Sequence, residues 1–272
     1  MAARSPTRTI ELDGRTLAWR TVGSGPPLLL VNGYAATGTD WDPQLLLSLS
    51  QSFEVICPDN RGIGESQLGD PAGLSVDAMA DDLERLLDAL GSERVPVVGW
   101  SMGGFVAQRL ATRDRRRVTH MALLASDPGG TATTMPTMQV WNDLTDHSGS
   151  GREQATRLIG LLFPPDVAAE IDRKFGAIVA VARAGLSHET LAAQEAAMVA
   201  WHTHEPPPPG DDVPPVLIAH GAEDVVIPPA NAAALAARWP GARVELFEGG
   251  GHAFMAQEPQ RLADLIADFV RG

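Results

Sequence analysis

The chain has 272 residues, 44% of them hydrophobic, a single cysteine and a formal net charge of −13. That length allows one large core with an inserted subdomain, while the longest apolar runs fall far short of the roughly 18 residues a membrane helix needs and the N-terminus has no apolar signal-peptide core. The acidic balance, with no stripe of Lys and Arg, excludes a nucleic-acid groove and a membrane-seeking surface, and Cys57, alone and at a strand end, excludes an internal disulfide and fits a reducing, cytoplasmic setting.

Two β-rich stretches open the chain, Thr7–Leu12 and Thr16–Val22, joined by Asp13-Gly14, a hairpin signal. From Pro27 the texture changes to short apolar strands alternating with helical patterns: Leu28–Asn32 then Trp41–Leu49, Phe53–Cys57 then Val76–Leu90, Val95–Gly99 then Phe105–Ala111, and Val118–Ala125. Such alternation predicts parallel strands covered on both faces. The dense basic run Arg113–Arg117 follows a helix, where cations favour the negative end of the helix dipole.

The alternation breaks after Ala125. From about Gly129 to Pro209 the pattern is helix after helix, clearest in Arg152–Phe163, Pro165–Phe175 and His188–Trp201, and it ends in Pro206–Gly210, a stiff extended linker. Alternation then resumes with Pro215–Gly221, Pro228–Trp239, Ala242–Phe247 and Glu258–Arg271. Residues 1–128 and 211–272 therefore read as one α/β core, and residues 129–210 as a helical cap over the C-terminal edge of its sheet.

Gly99-Trp100-Ser101-Met102-Gly103 joins the strand Val95–Gly99 to the helix that follows, with the serine at the apex of a tight turn. A serine hydroxyl is a poor nucleophile without a base in hydrogen-bond reach and an acid to orient that base. Asp224 lies just beyond a strand, and His252 follows the last strand on the loop Gly249-Gly250-Gly251, so the order is Ser101, Asp224, His252. An oxyanion formed at the serine needs N–H donors. The backbone of Met102 and of Tyr34, in the Asn32-Gly33-Tyr34 loop, are the expected ones.

With these residues in place the chain resembles the α/β-hydrolase superfamily over nearly its whole length. Asp59-Asn60-Arg61-Gly62-Ile63-Gly64-Glu65-Ser66 is similar to that family's D-x-R-G-x-G-x-S loop. The look is closest to the small lidded esterases, enol-lactonases and cofactor-free haloperoxidases, or perhydrolases. The resemblance implies a mostly parallel sheet of about eight strands with the second antiparallel, helices on both faces and a lid after the sixth strand. It also implies a serine hydrolase that cleaves a carboxylic ester or lactone through an acyl-enzyme, without metal or organic cofactor. Its partner is then a small-molecule ester or lactone, and the protein a monomer or homodimer. Many relatives carry His-Gly before the oxyanion residue, and here it is Asn32-Gly33. Perhydrolysis by the same residues, carbon–carbon bond hydrolysis with lid arginines (Arg152, Arg157, Arg183) holding a carboxylate, and a non-catalytic ligand receptor are the alternatives.

Other residues carry competing readings. Ser101 is otherwise a helix N-cap. Asp127, after the sixth strand, is a rival acid or a turn residue before Pro128-Gly129-Gly130, and the turn is preferred. Asp59 and Arg61 are expected to stabilise their loop, and His220 to be a packed strand-end histidine. His202 and His204 share an H-x-H spacing without further ligands, so no metal site is expected. Candidate pocket residues are Trp100, Trp141, Phe163, Trp201 and Phe254, with gluing together of lid helices as the other reading for Trp141, Phe163 and Trp201.

Overall fold

Leu28 and Leu30 of one strand point to one face of the sheet, and Leu29 and Val31 to the other. The same alternation in neighbouring strands builds two cores, because successive side chains on a strand face opposite ways. The computed structural model describes residues 5–114, 116–210 and 213–272. Its strands are β1 (Arg8–Leu12), β2 (Arg15–Val22), β3 (Pro27–Val31), β4 (Glu54–Pro58), β5 (Val95–Trp100), β6 (Val118–Leu124), β7 (Val216–Gly221) and β8 (Arg243–Phe247). They form one eight-stranded sheet in the order β1-β2-β4-β3-β5-β6-β7-β8. β2 runs antiparallel to both β1 and β4, and every later pair is parallel.

Helices α1 (Pro43–Leu49) and α9 (Pro259–Arg271) cover one face, and α2 (Val76–Ala89), α3 (Met102–Arg113) and α8 (Ala230–Arg238) the other. α1 starts later than the apolar pattern at Trp41 suggested. Asp42 caps it by accepting from the N–H groups of Gln44 and Leu45, and Pro43 fills the first turn. Arg113 and Arg117 do more than sit at a helix end. Arg113 pairs with Asp81 and Glu84 at 3.1 Å each, and Arg117 with Asp88 at 2.7 Å, so they lock α3 and the turn after it to the acidic face of α2. Arg115 of that run, and residue 211 at the expected resumption of the core, lie outside the described residues.

Between β6 and β7 stand α4 (Met138–Thr145), α5 (Gly151–Leu162), α6 (Pro165–Ala184) and α7 (His188–Thr203). α4 has no counterpart in the sequence pattern. α6 continues nine residues past Phe175, through a stretch rich in good helix formers. Gly176 does not end it: a Cβ there would strike the Arg152 guanidinium that reaches across from α5 to Asp172. Ser150 and Glu153 form a reciprocal capping box at the start of α5. No helix among the described residues is long and apolar enough to cross a membrane.

Candidate active site

Ser101 sits where β5 passes into α3, with φ 55° and ψ −124°. A non-glycine residue there costs of order 1–3 kcal/mol, which the surrounding structure must supply. Close packing does so. A Cβ on Gly99 would collide with the carbonyl of Gly103, and one on Gly103 with the carbonyls of Val31 and Asn32. Only glycines at both places let α3 start this near β3 and β5. Ser101 stands at the N-cap position, yet its side chain makes no capping hydrogen bond. The backbone is held instead, its N–H donating to the Leu124 carbonyl (2.9 Å) and its carbonyl accepting from Gly104 N–H (2.8 Å) and Ser126 Oγ (3.1 Å). Among the described residues the hydroxyl has no hydrogen-bond partner.

Asp224 and His252 meet at the neighbouring strand ends. His252 Nδ1 lies 2.8 Å from Asp224 Oδ2, and both residues are buried. The other oxygen, Oδ1, accepts from the N–H groups of Val226 and Ile227, each at 2.9 Å. Burial alone would raise the pKa of Asp224, but His252 and His220 outweigh it and bring it down to about 2. His220 is more than packing. Its Nε2 lies 2.7 Å from the Ile227 carbonyl, to which it donates, and 3.3 Å from Asp224 Oδ2. The triple glycine loop is tied down, with Gly251 N–H donating to Gln257 Oε1 (2.9 Å). The Trp100 indole donates to the His252 carbonyl at 3.0 Å, and the two rings are 5.5 Å apart, which fixes His252 beside the serine's own neighbour. Ser101 Oγ itself makes no hydrogen bond to His252.

Among the described residues, the backbone N–H groups of Tyr34 and Met102 meet no acceptor. The loop carrying Tyr34 is braced by Asp59-Asn60. Asp59 Oδ1 accepts from Gly38 N–H (2.7 Å), and Asn60 Nδ2 donates to the Asn32 carbonyl (3.0 Å). Asn32 turns its amide to the Thr37 carbonyl. Arg61 faces away and pairs with buried Asp82, which also holds Arg15. From the other side α7 docks on the same loop. Gln194 Oε1 accepts from Ala35 N–H (2.9 Å), and the Tyr34 hydroxyl donates to Glu195 (2.5 Å), which also meets His147 (2.6 Å). Burial and the Glu195 carboxylate push the Tyr34 phenol up, so it stays a donor.

A cavity of about 20 Å³ opens at Ser101, walled by Phe105, Met135, Trp141, Leu144, Met198, Val226 and Ile227, with Asp127, Thr133, Thr134 and His202 as polar lining. That is room for one water-sized group, so a larger acyl group enters only as the lining side chains shift. Of the aromatic candidates, Trp141 lines this cavity; Trp100, Phe163, Trp201 and Phe254 do not. Trp100 is engaged with His252 and Trp41. Phe163 packs on the core under α1 and α9, and Phe254 is fully buried against Phe247, with ring centroids 4.5 Å apart. Trp201 stacks behind Phe105 at 5.1 Å and donates its indole N–H to Asp127 Oδ1 at 3.0 Å. Arg152 pairs with Asp172 and Arg157 with Asp146, both away from the cavity. Sequence reasoning passed over Val226 and Ile227, although they adjoin Asp224. It also passed over the pairing of Asp127 with His202 (3.0 Å), which joins residues 75 apart.

The model of the alpha/beta hydrolase fold family matches residues 26–259. The chain belongs to that family and is a hydrolytic enzyme. It is 29% identical to an uncharacterised protein of Mycobacterium tuberculosis over 97% of this chain and 80% of that protein. It is 27% identical to RutD of Caulobacter vibrioides, which is named as a carbamate hydrolase, over 96% of this chain and 94% of RutD. The enol-lactonase of Burkholderia xenovorans superimposes with a TM-score of 0.84 over 97% of this chain and all (100%) of its own, at 22% identity, a likeness of fold.

Proposed function

We propose that the chain hydrolyses a carboxylic ester or lactone through an acyl-enzyme formed on Ser101, with residues 129–210 as a cap over the site. One observation carries this reading. A serine held at positive φ on a strand–helix junction keeps its hydroxyl unpaired, while a buried His252–Asp224 pair is anchored to the residue beside it. Strain of this kind persists at working sites, where packing over-determines it.

The steps follow from the contacts. A carboxylate only accepts hydrogen bonds, so Asp224 keeps the His252 proton on Nδ1 and leaves Nε2 as the base. Rotation of the Ser101 side chain brings its hydroxyl to Nε2, which takes the proton as Oγ attacks the carbonyl. The oxyanion rests on the unpaired N–H groups of Tyr34 and Met102, each worth about 3 kcal/mol at the barrier. His252 then protonates the leaving alkoxide and activates the water that releases the acid.

The enol-lactonase and RutD act, by their names, on lactone and carbamate carbonyls, electrophiles this arrangement also suits. Hydrolysis of short, long and cyclic esters and of an aryl carbamate, by the wild type and Ser101→Ala, tests the reading. Turnover of at least one class, lost in Ser101→Ala, is expected. Tight small-molecule binding without turnover points to a receptor instead.

A further inference from the structure

Asp127 follows β6 and is buried, and four donors converge on its carboxylate. Oδ1 accepts from Gly129 N–H (2.9 Å), Trp201 Nε1 (3.0 Å) and Thr133 Oγ1 (3.2 Å), and His202 Nε2 lies 3.0 Å from Oδ2. A carboxylate oxygen accepts in this contact, so the hydrogen between Asp127 and the ring is carried on Nε2. In the neutral ring the other nitrogen, Nδ1, is then an acceptor. It is buried and, among the described residues, has no hydrogen-bond partner. The ring meets Phe105 and Trp141 edge-on, with centroids 5.5 and 6.2 Å away, and lines the cavity that also exposes Ser101.

A second carboxylate–imidazole pair thus faces the serine's cavity. It is not a spare catalytic pair, because Asp224 already holds His252. A buried acceptor without a donor is costly, and a carboxylate and an indole are spent on holding this one still. The remaining lining is mostly apolar. A cationic group would leave most of its donors facing the apolar lining. An anion would have to settle beside Asp127. A neutral donor fits.

We propose that His202, held by Asp127, is a specificity residue: its Nδ1 accepts a hydrogen bond from a hydroxyl on the part of the substrate that fills this cavity. The inference rests on the ester-hydrolase reading of Ser101 and names its substrate class, a hydroxylated ester or lactone. A site built to bond a hydroxyl discriminates strongly against the analogue that lacks it, because the buried acceptor then stays unpaired.

The test compares matched pairs. Hexanoate and 6-hydroxyhexanoate p-nitrophenyl esters place the hydroxyl on the acyl side, and hexyl and 6-hydroxyhexyl acetates place it on the alcohol side. For the wild type, kcat/KM is expected to favour the hydroxylated member of one pair by about tenfold or more, carried mainly by KM. In His202→Phe that ratio is expected to fall to about one. A purely structural clamp between α7 and the Asp127 turn would lower both members together and keep the ratio, which would overturn the proposal, as would equal rates for both pairs in the wild type. A second readout does not need turnover: calorimetric binding of hexanoate and 6-hydroxyhexanoate, and of hexanol and 1,6-hexanediol, to Ser101→Ala. The hydroxylated member of one pair should bind about tenfold tighter, and equal affinities in both would refute the role of His202. Loss of turnover on every ester, with the binding preference intact, would strike the ester-hydrolase reading and leave the role of His202 standing.

Discussion

Asp224→Asn isolates the orienting role of the carboxylate. In the wild type Oδ1 is held by the N–H groups of Val226 and Ile227, both at 2.9 Å, so an asparagine must keep its carbonyl oxygen there. Its NH2 group then replaces Oδ2 and faces His252 Nδ1, 2.8 Å away, and His220 Nε2. A donor now meets His252 where an acceptor stood. Nδ1 must become the bare nitrogen, and the ring proton moves to Nε2, the atom that takes the proton of Ser101 in the proposed mechanism. The histidine is left in place in the wrong tautomer. The expected loss is about three to four orders of magnitude in kcat, equivalent to roughly 4–5 kcal/mol at the barrier, with KM little changed. Steady-state hydrolysis of the best ester, alongside a thermal melt to show the variant is folded, measures it. A folded Asp224→Asn enzyme within about tenfold of the wild-type kcat would refute this reasoning and hand the acid's role elsewhere.

Three further outcomes follow from the same contacts. Asp82→Ala leaves the guanidinium groups of Arg15 and Arg61 without their shared buried carboxylate, and is expected to cost about 3 kcal/mol, a fall of roughly 6–10 °C in Tm; an unchanged melt would show the pair contributes nothing. Gly103→Ala forces a methyl group into the carbonyls of Val31 and Asn32, so it should destabilise by more than about 2 kcal/mol and lower fluorophosphonate reactivity through displacement of Ser101, whereas a wild-type melt and labelling rate would contradict the close approach described. Asp224 has its pKa lowered from 3.8 to about 2 by its histidines against the opposing effect of burial. A depressed carboxylate contributes stability that is present above the unfolded-state pKa and is lost as pH falls through the folded-state value. That contribution, about 2 kcal/mol, should disappear between about pH 4 and pH 2, and Asp224→Asn should show a flatter urea-unfolding profile across that window.

How much of this was legible in the chain differs by residue. The elbow at Ser101 and the strand ends before Asp224 and His252 are local patterns, because turn sterics and strand periodicity act over a few residues. The parallel strands with helices on both faces follow from the same alternation, whereas the crossing of β4 and β3 in the sheet order is not a short-range pattern. What escaped depends on side-chain direction. Phe254 is two residues from His252, yet it points into the core against Phe247. Trp201 and His202 are adjacent on α7 and both reach Asp127 from a distant part of the chain. No short-range signal marks that convergence: a turn aspartate and an H-x-H spacing look ordinary until the helices pack. α4 buries no residue, whereas the comparably short α1 buries Leu45 and Leu49, so it leaves little pattern to read, and helices of so few turns depend on tertiary contacts more than on propensity.

The central claim is that the uncommitted hydroxyl of Ser101 is the nucleophile. Labelling the folded protein with a fluorophosphonate and locating the adduct by peptide mass spectrometry tests it most directly. The account predicts one stoichiometric adduct, on Ser101, abolished in Ser101→Ala and slowed by orders of magnitude in His252→Ala. Labelling at another residue, or none while an ester is still being hydrolysed, would contradict it.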